Sequence, residues 1–418
     1  MKVGVRFLQL LDAIRGSYWF LPGAMAVGGV LAAVGLVMLD AHIGDAWLGR
    51  YEWITGNRPE GARAMLSGIA SSTITVAGVV FSMTITAVTF ASGQYGPRLL
   101  SNFQRDRGNQ ATLGVFVATY LYCLMVMRTI RSAEETSAET GGAAREAFVP
   151  HLAVYGGFFL ALASIVVLIY FVHHVTDSIH INNVIARIGH SLIHDIGERP
   201  DVPDAQGAPL PSFAGARPVG SPETGYVKAV DHETLARIAC RRDAVFRLPL
   251  RPGDFVHRGW PLAEVAPASA LDDECREEIE AAFAFGRRRS ALQDLRFAGD
   301  ELVEIAARAM SSGINDPFTA IAALEWLGAA LSDLEKRPDD PAAWRDEQGR
   351  VRVVAEPFGF ESYLRSAFGR LRPYIERDPN VQARAVDILE QIAANACSEK
   401  RRALMREEIE RLSRTSSE

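Results

Sequence analysis

Four long apolar segments precede residue 173, and they constrain the fold more than any other feature of the chain. They span residues 19–39, 67–90, 112–127 and 152–172. A helix needs roughly 20 mostly apolar residues to cross the hydrocarbon core of a membrane. The third segment is shorter, but Arg128 follows it and can extend its side chain to the interface. The sequence therefore predicts an α-helical integral membrane protein with four transmembrane helices.

The charges between these segments predict the orientation of the chain. Lys and Arg concentrate in the short loops on the cytoplasmic side of a membrane. Here they lie before the first segment and between the second and third: Lys2, Arg6, Arg15, Arg98, Arg105 and Arg107. The other two loops carry clusters of Asp and Glu. We therefore expect a multi-pass protein of the bacterial inner (plasma) membrane, with both termini cytoplasmic. An uncleaved first segment is favoured over a signal peptide, because an amphipathic stretch precedes a full-length span.

The second segment carries a stripe of hydroxyl groups and glycine at steps of three and four residues. On a helix these residues share one face: Ser71, Thr75, Gly78, Ser82, Thr86 and Thr89. One interpretation is close helix packing, since small residues and hydroxyls favour contact between membrane helices. The other is the wall of a pore, where hydroxyl oxygens replace part of the hydration shell of an ion. Both interpretations stay open.

Turn-forming and polar residues follow this segment and carry a family resemblance. Gly93, Gly96 and Pro97 predict that the helix ends there. Six residues in and after this stretch carry a resemblance to a known family: Ser92, Gln94, Pro97, Arg98, Asp106 and Gln110. The resemblance continues at residues 173–180 and in the motif at 309–324. The family is the group of predicted bacterial membrane proteins known as domain of unknown function 2254. The resemblance implies this architecture and no defined activity.

A histidine-rich segment leaves the fourth span, and we predict that it continues the same helix to about residue 196. His173, Asp177 and His180 share one face, and His190 and His194 form a second pair. Because neither set has a third ligand at a telling spacing, packing or pH sensing is favoured over metal binding. The four cysteines form no C-x-x-C pair, which argues against a disulfide framework or a zinc site.

The composition beyond the fourth span predicts a linker and two further domains. The predicted order is a transmembrane domain (1–172), a juxtamembrane helix and linker (173–224), a small β domain (225–268) and a cytoplasmic helical domain (269–418). Short strands are predicted at 226–230, 244–250, 254–257 and 261–265. They resemble barrel-sandwich carrier domains, but Lys228 lies within a strand instead of at a hairpin tip. An adaptor or assembly module is therefore expected. A further strand is predicted within 349–357.

The motif AMSSGINDPFTAIAAL, residues 309–324, joins two predicted helices. Gly313 is expected at the end of the first, while Asp316 and Pro317 provide the N-cap and first position of the second. Ser312 and Asn315 have no role in this cap. We interpret Ser312, Asn315 and Asp316 as a hinge, with a ligand site as the alternative, because free N–H groups at a helix start can bind an anion; Arg287, Arg288 or Arg289 would then lie nearby.

No motif of a known catalytic site is present, and the formal charge of −6 argues against general nucleic-acid binding. We therefore expect a protein that is not an enzyme and has no cofactor. The leading hypothesis is a homo-oligomeric ion channel in which the second helix lines the pore and Gln94 and Arg98 form the cytoplasmic mouth or gate. Acidic loops would weakly favour monovalent cations. The alternative is a non-conducting sensor or scaffold, anchored in the membrane, that binds a partner or ligand.

Overall fold

The four apolar segments fold as four long helices. The structure is a computed structural model that describes residues 17–43, 59–96, 106–131, 148–198, 212–337, 342–356 and 358–414. The helices are α1 (Phe20–Ile43), α2 (Pro59–Tyr95), α3 (Arg107–Thr129) and α4 (His151–Ile179). Each is long and apolar enough to cross a membrane, as the sequence predicts.

The third helix lies at the centre of this bundle. Half of the most apolar window of α3 is buried, compared with 11% for α1 and 22% for α2 and for α4, and α3 contacts all three other helices. The Tyr122 hydroxyl donates to the carbonyl of Ala153 in α4 at 2.7 Å. The hydroxyls of Thr119 and Ser164 lie 3.2 Å apart in the same contact. These bonds satisfy polar groups in an apolar interior, where an unpaired group would be costly.

A carboxylate of α1 caps the start of α4. Asp40 accepts hydrogen bonds from the backbone N–H groups of Leu152 and Ala153 at 3.1 and 3.0 Å. Pro150, at the N-cap position, offers no side-chain bond. A negative charge at a helix N-terminus satisfies free donors and complements the helix dipole. Asp40 is thus a polar link between the first and last membrane helices.

The predicted continuous helix beyond the fourth span is wrong at His180. That residue has an extended backbone, with φ −65° and ψ 119°, and ends α4. A separate helix, α5 (Ile181–Gly197), begins at the next residue. The prediction failed because apolar residues keep helical spacing on both sides of His180, so their pattern does not reveal a break of one residue. The chain divides into two compact units at this point, with Ile181 the first described residue of the second unit.

The described residues of the second unit form two sheets. Strands β1 (Arg217–Gly220), β2 (Gly225–Val230), β3 (Val245–Leu248), β4 (Phe255–Val256), β5 (Pro261–Ala266), β6 (Phe283–Gly286), β7 (Ala342–Arg345) and β8 (Val351–Ala355) occur in chain order. One sheet has the order β1-β5-β3-β8-β7 and the other β4-β2-β6. Four of the predicted strands match β2, β3, β4 and β5, and the prediction within 349–357 matches β8.

The larger sheet combines strands that are far apart in sequence. β3 pairs in parallel with β8, with Phe246 opposite Val353, while its other neighbour β5 is antiparallel. Phe246, Val265 and Val353 are fully buried in one core. The sheet therefore extends into residues that sequence reasoning assigned to the helical domain, although the domain boundaries themselves stay a prediction.

The described part of the second unit also contains the helices α6 (His232–Arg241), α7 (Asp273–Ala281), α8 (Arg296–Ala309), α9 (Pro317–Glu335), α10 (Phe360–Leu364), α11 (Arg370–Ile375), α12 (Pro379–Ala394) and α13 (Glu399–Arg414). α9 packs against α5, α8 and α12. The backbone of Gly189 in α5 lies against the Trp326 ring of α9, and a larger residue would meet that ring. Ion pairs support the outer helices, and Arg372 binds the buried Glu408 with a bidentate contact at 2.7 and 2.8 Å.

Candidate functional site

Two faces of α2 have opposite roles in the membrane unit. Small and apolar residues form the buried face, which packs on α3 and α4. Its members are Ala62, Leu66, Ala70, Thr73, Ala77, Val80, Thr84, Ala87 and Ala91. Small side chains allow membrane helices to approach closely. The packing within this bundle is therefore made by a set of residues other than the predicted hydroxyl stripe.

The hydroxyl stripe lies on the exposed face of α2. Every one of its six members is exposed: Ser71, Thr75, Gly78, Ser82, Thr86 and Thr89. The Thr75 hydroxyl donates to the carbonyl of Ser71 at 2.7 Å, and that of Thr86 donates to Ser82 at 2.9 Å. A hydroxyl oxygen that donates once still has lone pairs for accepting. The stripe thus presents acceptor oxygens outward along the helix.

The outer surfaces of α1 and α4 are different in character. They expose many large apolar side chains, including Leu31 (65%) in α1 and Phe159 (66%) and Ile169 (68%) in α4. Such surfaces suit contact with acyl chains. The exposed face of α2 mixes apolar residues such as Val79 and Met83 with the stripe. Among the described helices of this unit, α2 has the outer face best suited to something other than lipid.

The stripe ends in an open groove near the C-terminus of α2. Ile85, Thr86, Thr89, Phe90 and Gly93 line it. Gln94 follows in the last turn of α2, and the structure does not describe its side chain. Arg98 lies outside the described residues. The assignment of these two residues to a mouth or gate therefore stays a prediction.

A partly buried Asp–His pair links α3 to α4, and sequence reasoning missed it. Asp106 caps α3 by accepting from the N–H groups of Gly108 (2.8 Å) and Asn109 (3.2 Å). Its two carboxylate oxygens also lie 2.9 and 3.0 Å from Nε2 of His174. The His174 ring stacks on Tyr170, with 5.2 Å between centroids. A Cβ on Gly108 would come within 2.6 Å of His174 Nε2, so the pair needs glycine there.

The helical spacing pointed to different histidines. His173 and Asp177 are mostly exposed, with 4.0 Å between His173 Nε2 and an Asp177 carboxylate oxygen, while His180 is exposed at the end of α4. The signal that could have identified His174 was its position directly after His173, about 100° around the helix, on the side that contacts Asp106 at the start of α3. In the part of the chain that the structure describes, no three His, Cys, Asp or Glu residues are grouped to hold a metal ion.

The SSGINDP motif is a capped connection between α8 and α9. Asp316 is the N-cap of α9, accepting from the Thr319 N–H at 3.1 Å and from the Thr319 hydroxyl at 2.6 Å. Asn315 has φ +48°, in the left-handed region that Asn tolerates better than most residues. The expectation that Gly313 ends α8 is wrong, because Met310 is the C-cap and Asn315 makes the turn. Ser312 is exposed.

Arg289, one of the three arginines considered for anion binding, is already paired, whereas Arg287 and Arg288 are exposed. Arg289 makes ion pairs with Asp294 at 2.6 Å and with Asp300 at 2.5 Å, and both carboxylates are buried. Arg370 adds a 3.0 Å contact to Asp300. This cluster ties the segment before α8 to α11. It neutralises the Arg289 charge, which therefore does not support an anion site at the motif. The role of Ser312, Asn315 and Asp316 as hinge or ligand site stays a prediction.

The second unit also holds a histidine with a strongly shifted pKa. Burial lowers the pKa of His232 from 6.5 to about 4, although the neighbouring charge of Asp231 acts in the opposite direction. The ring lies parallel to that of Trp344, with 4.1 Å between centroids. His232 begins α6 and Trp344 lies in β7, so the stacked pair joins a helix to an edge strand of the larger sheet. We regard this stacked pair as structural.

Comparison with known proteins supports the membrane assignment. Residues 15–391 match the family model described as predicted membrane protein (DUF2254). Two uncharacterized proteins, one from Mycobacterium bovis and one from Mycobacterium tuberculosis, are each 31% identical to this chain over 414 residues. Each alignment covers 96% of this chain and 76% of the relative. No solved structure matches the chain.

Proposed function

The chain belongs to the DUF2254 family of predicted membrane proteins, and from this premise we propose that it is a homo-oligomeric ion channel of the bacterial inner membrane. In this proposal α2 of each subunit lines a central path. Ser71, Thr75, Gly78, Ser82, Thr86 and Thr89 face that path. In this proposal the protein conducts ions and is not an enzyme.

The observation that carries the proposal is the exposed position of the whole stripe. None of its six residues is buried by α1, α3 or α4 as described. Packing inside one subunit therefore does not explain the pattern, and the outer faces of α1 and α4 offer lipid a more apolar surface. Association of several copies through the α2 side would remove the hydroxyls from lipid and arrange their outward oxygens as rings. Rings of polar oxygens are a common form of ion pathway.

The proposal includes an orientation and a role for the second unit. Basic residues before α1 and between α2 and α3 support cytoplasmic termini. The second unit would then lie in the cytoplasm, where its sheets would act as an assembly module of the barrel-sandwich type and would form a vestibule together with its helices. Acidic residues outside the membrane support a weak preference for monovalent cations. Gln94 and Arg98 would form the cytoplasmic mouth.

Ion flux through liposomes tests the channel directly. The full-length protein is reconstituted, and K⁺, Na⁺ and Cl⁻ gradients are compared in parallel. We expect cation flux that exceeds Cl⁻ flux and that Ser82→Leu abolishes, because a branched apolar side chain would narrow the path and remove an oxygen. Ser72→Leu is the matched control. Ser72 is also exposed and also donates to its own helix, to Ile69 at 3.0 Å, but it lies about a quarter turn from the stripe.

The oligomeric size of each variant is measured alongside. Flux abolished in Ser82→Leu and retained in Ser72→Leu, with unchanged size, would support the pore assignment. Equal flux in the wild type and in Ser82→Leu would exclude it. Wild-type protein that assembles but passes none of the three ions at any pH tested would favour the second candidate.

That candidate is a non-conducting sensor or scaffold, and two observations favour it. The Thr75 and Thr86 hydroxyls already donate to their own helix, which makes them tolerable in a dry interface. In the second unit, Phe318 at the start of α9 is 81% exposed and Ile314 is 40% exposed, and exposed apolar side chains of this kind suit a protein partner. Cysteines placed at Thr75, Ser82 and Thr86 in a background without native cysteines separate the candidates. A pore allows water-soluble thiol reagents to modify all three, and a dry interface allows none.

A further inference from the structure

A groove on the membrane unit lies between α1 and α3, away from the stripe on α2. Its volume is about 600 Å³, and its walls are apolar along most of their length. Val34, Val37, Met38 and Ala41 contribute from α1, and Met125 from α3. These residues extend along the C-terminal halves of both helices. The groove therefore runs toward one end of the membrane-spanning region.

Two arginines stand at that end. Arg128 lies in the last turn of α3, Arg131 follows three residues later, and both line the groove. Each side chain is exposed. No acidic residue is among the described residues that line the groove. The site thus has an apolar length and a cationic end.

The backbone that carries these arginines is fixed by long-range hydrogen bonds. Arg131 and Phe148 exchange two bonds, with N···O distances of 3.1 and 3.2 Å. The Arg63 guanidinium of α2 donates to the carbonyl of Ile130 at 2.7 Å. Ile130 itself caps α3 with an N–H bond to Met127. The cationic end is consequently a formed part of the bundle and not a free chain end.

We propose that this groove binds an anionic phospholipid, with the phosphate held by Arg128 and Arg131 and an acyl chain along the walls. Arginine matches phosphate oxygens with a planar fork of donors. Basic pockets between membrane helices are suited to lipid headgroups. A second copy of the chain docked groove to groove is disfavoured, since a two-fold contact would bring two pairs of arginines together. This inference is independent of ion conduction.

Native mass spectrometry of the full-length protein in detergent tests the proposal. The probes are phosphatidylglycerol, phosphatidylcholine and inorganic phosphate. The test variant is R128Q/R131Q, and R107Q is the matched control, because Arg107 is exposed at the opposite end of α3. We expect phosphatidylglycerol affinity to fall about tenfold in the double variant and to be unchanged in R107Q. Phosphatidylcholine should bind more weakly than phosphatidylglycerol to the wild type.

A second variant keeps the charges and blocks the walls. Ala41→Trp fills part of the groove while leaving both arginine residues in the sequence, and it should also weaken phosphatidylglycerol binding. If R128Q/R131Q does not fold, the phosphatidylglycerol affinity of Ala41→Trp tests the proposal instead. Equal phosphatidylglycerol affinity in the wild type and in the folded test variants would overturn the proposal. So would phosphate binding as tight as lipid binding, which indicates a free-anion site, or a change of oligomeric size in place of lipid loss, which indicates a contact between copies.

Discussion

Acidification should destabilise the second unit through His232. The ring of His232 is partly buried and stacks on Trp344, with an angle of 1° between the ring planes. Burial lowers its pKa to about 4, below the usual 6.5. Between these two values the unfolded chain binds more protons at this site than the folded chain. The free energy of unfolding therefore falls as the pH drops, with the full contribution present above about 6.5.

The size of the effect follows from the difference between the two pKa values. One unit corresponds to about 1.4 kcal/mol, so the complete difference is worth about 3 kcal/mol. At pH 5 the expected loss is about 2 kcal/mol, because protonation of the folded form has hardly begun while the unfolded form is almost fully charged. Most carboxylates titrate below this pH, which makes the range from 7 to 5 informative for histidine.

Urea unfolding of the full-length protein in detergent, at pH values from 7 to 5, measures this loss. His232→Phe preserves a ring that can stack on Trp344 and removes the titration, so its stability should vary by about 2 kcal/mol less than that of the wild type. His257→Phe is the control, since His257 is exposed in the same unit. If His232→Phe and the wild type lose equal stability over this range, the burial of an uncharged His232 is not the cause and the reasoning is refuted.

Three further predictions concern stability, each measured by unfolding of the full-length protein in detergent. Asp316→Ala should cost about 1 kcal/mol by removing the N-cap of α9, whereas Ser312→Ala should change stability by less than about 0.5 kcal/mol; equal effects would contradict the cap assignment. Glu408→Gln should cost about 3 kcal/mol because Arg372 loses the buried carboxylate that pairs with it, and a neutral result would show that water replaces the pair. Asp40→Asn should cost about 1 kcal/mol through the weakened cap of α4, and stability equal to the wild type would show that this charge is dispensable.

The sequence alone predicted the features that depend on local composition. The four membrane helices follow from apolar length, and the Asp316-Pro317 start of α9 follows from cap chemistry. Most of the strands near residues 226–265 follow from alternation and turn residues. In each case the residues that determine the element lie within one stretch of a few to about 25 residues. The orientation and the function of the stripe depend on surroundings that no single stretch contains, and they stay predictions.

Features that depend on partners distant in sequence were missed. Asp106 and His174 are 68 positions apart, and no spacing rule connects them. The helical period favoured His173 and Asp177, which face outward, because periodicity does not tell which face is buried. The break at His180 is invisible for a similar reason, as the residues on both sides keep helical patterns. Asn315, and not Gly313, adopts the left-handed backbone conformation between α8 and α9. It directly precedes Asp316, the N-cap of α9.

The parallel pairing of β3 with β8 also sets an order of events during synthesis. β3 is complete at Leu248, but its partner ends at Ala355. Until the ribosome has released that later segment, one side of β3 lacks its native neighbour, and the backbone donors and acceptors on that side are open to other nascent chains. A truncation or a translational stall between these strands therefore leaves an unpaired, aggregation-prone strand edge on a chain whose membrane helices have already been synthesised.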